Sequence, residues 1–356
     1  MREHSVSGCL HRHCCTLLRQ VIGAWCQGQC VDWRPLDDTG WEGLISESRL
    51  NGVSGVLYKL LPDDAPSSVR DVLRSDYQSQ LAANILYLEK LGQIVPALKS
   101  AGVRFVVVKG AALLATVYSD MGMRAMKDVD LLVHHEDANI LKPVMQQLGW
   151  QEEDEDIAGK HFGQRYRAET SFTRREGALL LRLEAHLDAP GVYPLAREAI
   201  WRKLVFVSAA GIDEMPVLSV PAHLNYLCTH FYYHHCGQGL KWLVDVALLI
   251  PQVRSWHDVV VDAYELGTTR PMHLALHDAA RYLQVPVPTH IVETLRFLPM
   301  PLSLRLLFEM CKRSSLHYLG IRLLDLYRAP NWSTRLGYIW RKLTAPRWRR
   351  RALQRE

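Results

Sequence analysis

Apolar residues recur at helical spacing through the first third of the chain. This spacing predicts helices within Leu10–Trp25, Trp41–Leu61 and Ser67–Ser100, and a polar, proline-containing turn at Asp63–Ser68. An apolar stripe on each helix is most simply explained by packing against a core. Residues 1–100 are therefore predicted to form an N-terminal helical segment.

The pattern then changes, and short apolar runs replace the helical spacing. Val103–Lys109 is β-branched and almost wholly apolar, which predicts a strand that is buried on both faces. Asp128–His134 and Ala178–His186 predict two further strands, and Glu136–Leu148 predicts a helix between them. We expect residues 101–215 to form one core around these strands.

From Pro221 onward the helical spacing returns, and glycine and proline residues divide it into five predicted helices. These helices are Leu224–Tyr233, Leu240–Ile250, Trp256–Glu265, Pro271–Leu283 and Pro288–Leu295. We expect a C-terminal helical domain over residues 216–335 and a basic tail over residues 336–356. The order of helices, a short α/β insert and helices again predicts an α+β fold.

Composition places the chain among ordinary globular proteins. Its 356 residues are 48% apolar and 22% charged, which excludes disordered, collagen-like and coiled-coil classes for the bulk of the chain. The net charge is +5, but residues 341–356 alone hold seven basic side chains and one acidic side chain. The rest is nearly neutral, which argues against a strongly basic nucleic-acid-binding fold. The tail could bind RNA phosphates or an anionic membrane surface, or be a solvated terminus.

Hydropathy and cysteine content bear on the compartment. No stretch of 18 apolar residues and no signal-peptide pattern is present, so we expect a cytoplasmic protein without a transmembrane segment. Five of the eight cysteines lie in the first 30 residues, beside three histidines. The lack of a CxxC pair favours ordinary thiols over a metal or redox site there.

Two aspartates, Asp128 and Asp130, open the second predicted strand. Residues i and i+2 of a strand project from the same face, so their carboxylates would repel each other unless a cation lies between them. Hard divalent ions such as Mg²⁺ prefer such oxygens, and Mn²⁺ is an alternative. Glu184, on the polar face of the third predicted strand, is the best candidate for a third carboxylate. Three such ligands would hold two ions about 4 Å apart, the geometry of in-line nucleotidyl transfer.

Positive charges precede the aspartates. The strand that ends at Lys109-Gly110 leads into a predicted helix, and such a turn is a natural place to receive phosphate oxygens. Arg124 and Lys127 would neutralise a triphosphate, or be solvated loop charges. The sequence thus places candidate phosphate ligands directly beside a candidate metal site.

These segments resemble the nucleotidyltransferase-like family of the polymerase-β superfamily. The resemblance rests on Val106–Leu113 and Met123–Val133, which match LKGAAL and R-x-M-x-D-[IV]-D-L-L-V, and on the Glu-Ala-His of the third strand. It covers roughly residues 40–250 and implies a small mixed-sheet nucleotidyltransferase core, flanked by helices, that carries the metal triad. The classical Gly-Ser after the first strand is Lys109-Gly110 here, so Lys109 is expected to contact the β/γ-phosphates as a point charge.

Three histidines are candidate substrate contacts. His186 shares the face of Glu184, where it would orient a carboxylate, contact substrate or be an ordinary sheet histidine. His230 and His234 lie four residues apart on one helical face, as in the family's C-terminal pattern. That spacing also suits zinc, but no glutamate follows His230, so the zincin pattern fails. Helix packing is the alternative role for both.

By this resemblance the reaction is attack of an acceptor hydroxyl or phosphate on the α-phosphorus of a nucleoside triphosphate such as ATP, with release of pyrophosphate. Asp128 and Asp130 would bind both ions, and Glu184 would bind the catalytic ion and act as general base. A small molecule, a protein and RNA are all open as acceptors. Two alternatives on the same fold are a catalytically weak or inactive module that binds a nucleotide or a partner, and an RNA-directed transferase that uses the basic tail.

Overall fold

The computed structural model of the chain describes residues 16–31, 33–153, 169–187 and 197–297, with isolated helical positions between 302 and 336. The start of the predicted helix Leu10–Trp25, most of the N-terminal cysteine and histidine cluster, and the basic tail lie outside the described residues. Cys26 and Cys30, the two members of that cluster that are described, are free thiols.

A mixed sheet lies at the centre of the fold. Its strands are β1 (Phe105–Val108), β2 (Val129–Val133), β3 (Gln151–Glu152), β4 (Glu169–Glu176), β5 (Leu179–His186), β6 (Leu204–Ala209) and β7 (Ile212–Leu218). They are arranged in the order β3-β4-β5-β2-β1-β7-β6. β2 is parallel to β5 and β1 is parallel to β7, while the other neighbours are antiparallel. The three predicted strands form the middle of the sheet, and the predicted α+β fold with a mixed sheet is confirmed.

Helices precede, interrupt and follow the sheet. The α-helices are α1 (16–26), α2 (Asp38–Leu50), α3 (Ser54–Leu60), α4 (Ser67–Ser100), α5 (Lys109–Thr116), α6 (Ala138–Gln147), α7 (Arg197–Trp201), α8 (Val220–Tyr233), α9 (Leu240–Leu249), α10 (Trp256–Glu265), α11 (Thr269–Tyr282) and α12 (Thr289–Phe297). The five helices expected after Pro221 are therefore present, with ends shifted by a few residues. The predicted boundary between residues 215 and 216 lies inside β7, and α8 begins only at Val220.

The central strand β1 is buried on both faces, as its apolar run predicts. All four of its residues are buried. Val106 and Val108 pack in one cluster with Tyr226 of α8, while Val107 belongs to the larger core that contains Leu91 of α4. A strand with helices against both faces has no solvent-facing side, which is why its sequence lacks polar alternation.

The longest helix, α4, contains 34 residues and carries charged side chains along its length. Its buried positions include Leu73, Leu88, Leu91 and Leu98, which belong to the main core. Within the parts of the chain that the structure describes, no helix is both long enough and apolar enough to cross a membrane.

Gly55 of α3 allows a close contact that a larger side chain would prevent. A Cβ atom at this position would overlap the carbonyl oxygen of Gly122, in the 3₁₀ turn Met121–Met123. Gly55→Ala is therefore expected to lower the free energy of unfolding by about 1–3 kcal/mol, measured by urea denaturation. Gly92→Ala in α4 is the matched control, because the nearest atom to a Cβ there is 3.8 Å away. It should raise stability by about 0.5–1 kcal/mol, and equal effects of the two changes would contradict this account.

Candidate active site

The sheet register brings the predicted acidic residues together. β2 and β5 are parallel neighbours, with Asp130 opposite Glu184 and Leu132 opposite His186. Residues at these alternate positions share one face of the sheet. The carboxylate and imidazole atoms of Asp130, Glu184 and His186 consequently lie within 4.8 Å of one another.

His186 lies between the two carboxylates. Its Nε2 atom is 2.9 Å from Oδ1 of Asp130 and 3.8 Å from Oε2 of Glu184. The side chains of Asp130 and His186 are only 5% and 7% exposed, whereas that of Glu184 is 20% exposed. Glu184 is thus the member of the group through which a ligand would enter.

Lys109 forms an ion pair with Asp130. Its Nζ atom is 2.6 Å from Oδ1 of Asp130 and 3.4 Å from Nε2 of His186. Burial opposes the charge on both partners, but their mutual attraction dominates. It keeps the pKa of Asp130 below its usual range and that of Lys109 above its usual range. Both groups are therefore charged at neutral pH.

The backbone of Lys109 is unusual. Lys109 follows β1 directly and is the first residue of α5, with a φ of 52° in the left-handed region. A residue with a Cβ atom adopts this conformation at a cost of about 1–2 kcal/mol. Strain of this kind persists where the surroundings fix it, and it is concentrated at functional sites.

Asp128 lies just before β2, beside the close group of three and outside it. Burial, and then repulsion from Asp130, raises the pKa of the Asp128 carboxyl. A cation bound between the two aspartates would relieve this repulsion. Asp128 is therefore a candidate for a further ligand at the edge of this group.

Helix α4 holds the loop that leads to the aspartates. The side-chain amide of Asn84 donates to the carbonyl oxygens of Met121 and Arg124, at 2.6 and 2.7 Å. The hydroxyl of Tyr87 donates to the carbonyl oxygen of Lys127. The loop is thus fixed from the helix side, while the side chain of Lys127 is exposed next to Asp128.

Arg124 is committed to a buried ion pair. Its Nε and Nη2 atoms lie 2.8 and 2.7 Å from the two carboxylate oxygens of Asp245 in α9, and Tyr118 donates to the same carboxylate at 2.8 Å. The side chains of Arg124 and Asp245 are 5% and 1% exposed. Arg124, which was predicted to bind a triphosphate, therefore connects the core to the C-terminal helices. Its position in the sequence did not reveal this role.

Gly110 makes room for that arginine. A Cβ atom at Gly110 would overlap Nη1 of Arg124, so the glycine in the Lys-Gly turn is required by packing. Gly110 is buried at the second position of α5, directly after Lys109. The structure thus gives the Lys-Gly pair two separate tasks, a charge for Asp130 and space for Arg124.

The C-terminal histidines form a cluster of their own. The rings of His230 and His234 stack with their centroids 4.9 Å apart, and Nε2 of His230 is 3.0 Å from Nε2 of His235. Burial, and then the nearby charge of Lys109, lowers the pKa of His230, and the same causes lower that of His235 to about 3. His230 and His235 are therefore neutral at pH 7, and both lie close enough to Lys109 to feel its charge. His235, which the sequence offered only as a further possible zinc ligand next to His234, also stacks on Trp242.

A cavity of about 400 Å³ lies beside this histidine cluster. It is lined by His234 and His235 from the turn after α8, by Trp242 of α9, and by Glu47 and Asn51 from α2 and its end. Aromatic and imidazole rings offer stacking surfaces for a planar ligand. The cavity is the candidate position for a part of the substrate that lies away from the carboxylates.

A second group of potential ligands comprises His134, His135 and Glu198. Nε2 of His134 is 3.6 Å from Oε1 of Glu198, but it is also 3.4 Å from Nη1 of Arg104. The guanidinium would repel a metal ion at this position. The site on β2 and β5 is therefore the better candidate for a metal.

A mixed sheet that gathers carboxylates from two adjacent strands, beside a Lys-Gly turn into a helix, has the layout of a nucleotidyltransferase core. Residues 37–284 match the family described as "Uncharacterised nucleotidyltransferase", and the chain belongs to this family. This membership confirms the resemblance found in the motifs of the first two strands.

The solved structures that are similar to the chain include an antigenic nucleotidyltransferase-like protein from Paracoccidioides brasiliensis, with 15% sequence identity and a TM-score of 0.35. The similarity covers 58% of this chain and 96% of that protein. A comparison with curated proteins gave no match.

Proposed function

We propose that the chain is a divalent-metal-dependent nucleotidyltransferase that moves a nucleoside monophosphate from a nucleoside triphosphate to an acceptor and releases pyrophosphate. The observation that carries the proposal is the close approach of Asp130, Glu184 and His186, within 4.8 Å of one another. Two carboxylates with a third, Asp128, at the edge form a set of donors that suits Mg²⁺ or Mn²⁺.

The side chains would divide the work as follows. A bound cation would polarise the phosphate oxygens and balance the negative charge that develops during transfer. Asp130, held by Lys109 and His186, and Asp128 would bind it from the sheet. Glu184, whose side chain is 20% exposed, would bind it and accept the proton of the acceptor hydroxyl. The hydroxyl oxygen would then bond to the α-phosphorus while the bond to the β-phosphate oxygen breaks, so that pyrophosphate leaves.

Nucleotide binding is proposed for the exposed side chain of Lys127 and for the backbone N–H groups at the start of α5. The ammonium of Lys127 is exposed beside Asp128, and the N–H groups at the start of α5 lie next to Lys109. Both features attract phosphate oxygens. His230 and His234, with the adjoining cavity, are proposed to contact the remainder of the substrate. Arg124 is proposed to support this arrangement through Asp245.

Incubation of the protein with each α-labelled nucleoside triphosphate and a cell lysate tests the proposal. We expect Mg²⁺ or Mn²⁺ to support transfer of label to a lysate component, and EDTA to abolish it. The identity of the labelled component would name the acceptor. Tight binding of all four triphosphates without any transfer of label would contradict the proposal.

A non-catalytic module that binds a nucleotide is the second candidate. The ion pair between Lys109 and Asp130 favours it, because the ammonium neutralises a carboxylate without a metal. Calorimetry with Mg-ATP, Mg-GTP and Mg-CTP separates the candidates, since a module would bind one of them without turnover. The RNA-directed alternative depends on the basic tail, which lies outside the described residues.

A further inference from the structure

The ammonium group of Lys109 lies where one of two metal ions would be expected. Its Nζ atom is 2.6 Å from Oδ1 of Asp130, and Nε2 of His186 is 2.9 Å from the same oxygen. Nζ and Nε2 are themselves 3.4 Å apart. A Mg²⁺ ion on that oxygen would lie about 2.1 Å from it, inside the space that the ammonium and the imidazole now share.

Lys109 is fixed in this position. Its side chain is only 10% exposed, and its backbone adopts a left-handed φ of 52° to follow β1 directly. The ammonium is therefore enclosed next to Asp130, and its removal would leave a buried carboxylate without a partner of opposite charge. An unpaired charge in a protein interior strongly lowers the stability of the fold.

The charges of the site also favour a single divalent ion. Asp128, Asp130 and Glu184 contribute −3 when ionised, and the buried Lys109 contributes +1, so these four side chains sum to −2. One divalent ion neutralises this charge, whereas two would leave an excess before any substrate binds.

We infer that Lys109 is a built-in cation that replaces one metal ion, so that the site binds one divalent ion per chain. This inference rests on the proposed function only in assuming that the carboxylates bind a divalent ion. The remaining ion would be held by the carboxylates of Asp128, Asp130 and Glu184. Lys109 then stabilises the carboxylate that a two-ion site would use as a bridge.

Electron paramagnetic resonance of Mn²⁺ bound to the full chain counts the ions. Two Mn²⁺ ions about 4 Å apart are magnetically coupled, whereas a single ion gives an isolated signal. Titrations are made with and without a non-hydrolysable ATP analogue, and only ions that Asp130→Asn removes are assigned to the site. We expect one isolated ion in the wild type under both conditions.

The lysine is then changed. Lys109→Met is expected to bind a second, coupled Mn²⁺ ion, and Lys109→Arg is expected to keep one. Lys142→Met is the matched control, because Lys142 is 56% exposed and pairs with Glu152 away from the site. It should leave the count at one. Thermal unfolding of each variant shows whether it is folded.

Two coupled ions in the wild type would overturn the inference, and so would a folded Lys109→Met variant that still binds one. If Lys109→Met does not fold, the wild-type count decides alone. Nucleotide transfer by an enzyme with two coupled ions overturns this inference and leaves the proposed function intact. One isolated ion in a protein that transfers no nucleotide would support this inference and contradict the proposed function.

Discussion

Replacement of Arg124 by methionine is expected to lower the free energy of unfolding by about 3–5 kcal/mol, because it leaves the carboxylate of Asp245 buried without its cation. The two side chains are 5% and 1% exposed and make two charged hydrogen bonds of 2.8 and 2.7 Å. The hydroxyl of Tyr118 would still donate to that carboxylate, but a neutral hydroxyl does not balance its charge. Urea denaturation measures the change.

The chain offers a matched control for this result. Arg49 pairs with Asp76 through two hydrogen bonds of 2.7 and 2.9 Å, but its side chain is 51% exposed. Arg49→Met should therefore cost less than about 1 kcal/mol. The double variant Arg124→Met, Asp245→Leu should recover much of the loss, because it removes both buried charges. Equal losses for the two arginine variants would show that Arg124 is not held as described.

The centre of the fold could be predicted because its signals are local. β1 is a continuous apolar run and β2 is apolar apart from Asp130, and a strand that is covered on both faces carries that signal without help from distant residues. β6 gives a weaker signal because most of its residues are partly or fully exposed. The β6–β7 hairpin was accordingly not predicted, although β7 pairs with β1 at the centre of the sheet.

The residues of the site also include some that local rules predict and some that they do not. That Asp128 and Asp130 share a face follows from the two-residue period of a strand, and Glu184 follows from the same rule applied to β5. The partners of the positive charges do not follow from any local rule. Lys109 and Asp130 are 21 residues apart, and Arg124 and Asp245 are 121 residues apart. Only the folded chain shows which carboxylate each cation selects.

Glu184→Gln is expected to reduce nucleotide transfer by about 10³-fold while leaving the protein folded. The change removes the negative charge that is proposed to bind the cation and to accept the acceptor proton, and it preserves the size of the side chain. Charge stabilisation by a metal is worth several kcal/mol, and about 4 kcal/mol corresponds to three factors of ten in rate. The rate of label transfer at saturating Mg²⁺ measures the loss.

Glu176→Gln provides the comparison that separates chemistry from stability. Glu176 belongs to the same sheet and is 27% exposed, close to the 20% of Glu184, but it pairs with Lys90 and Arg174 at the turn between β4 and β5. His186 lies at the opposite end of β5, so Glu176 is remote from the site. The Glu176→Gln variant should transfer nucleotide at close to the wild-type rate.

Because Glu184 lies at the more exposed edge of the group, the Glu184→Gln variant should unfold within a few degrees of the wild type. Full activity of Glu184→Gln would remove Glu184 from the mechanism, whereas a large fall in its melting temperature would assign it to the support of the sheet.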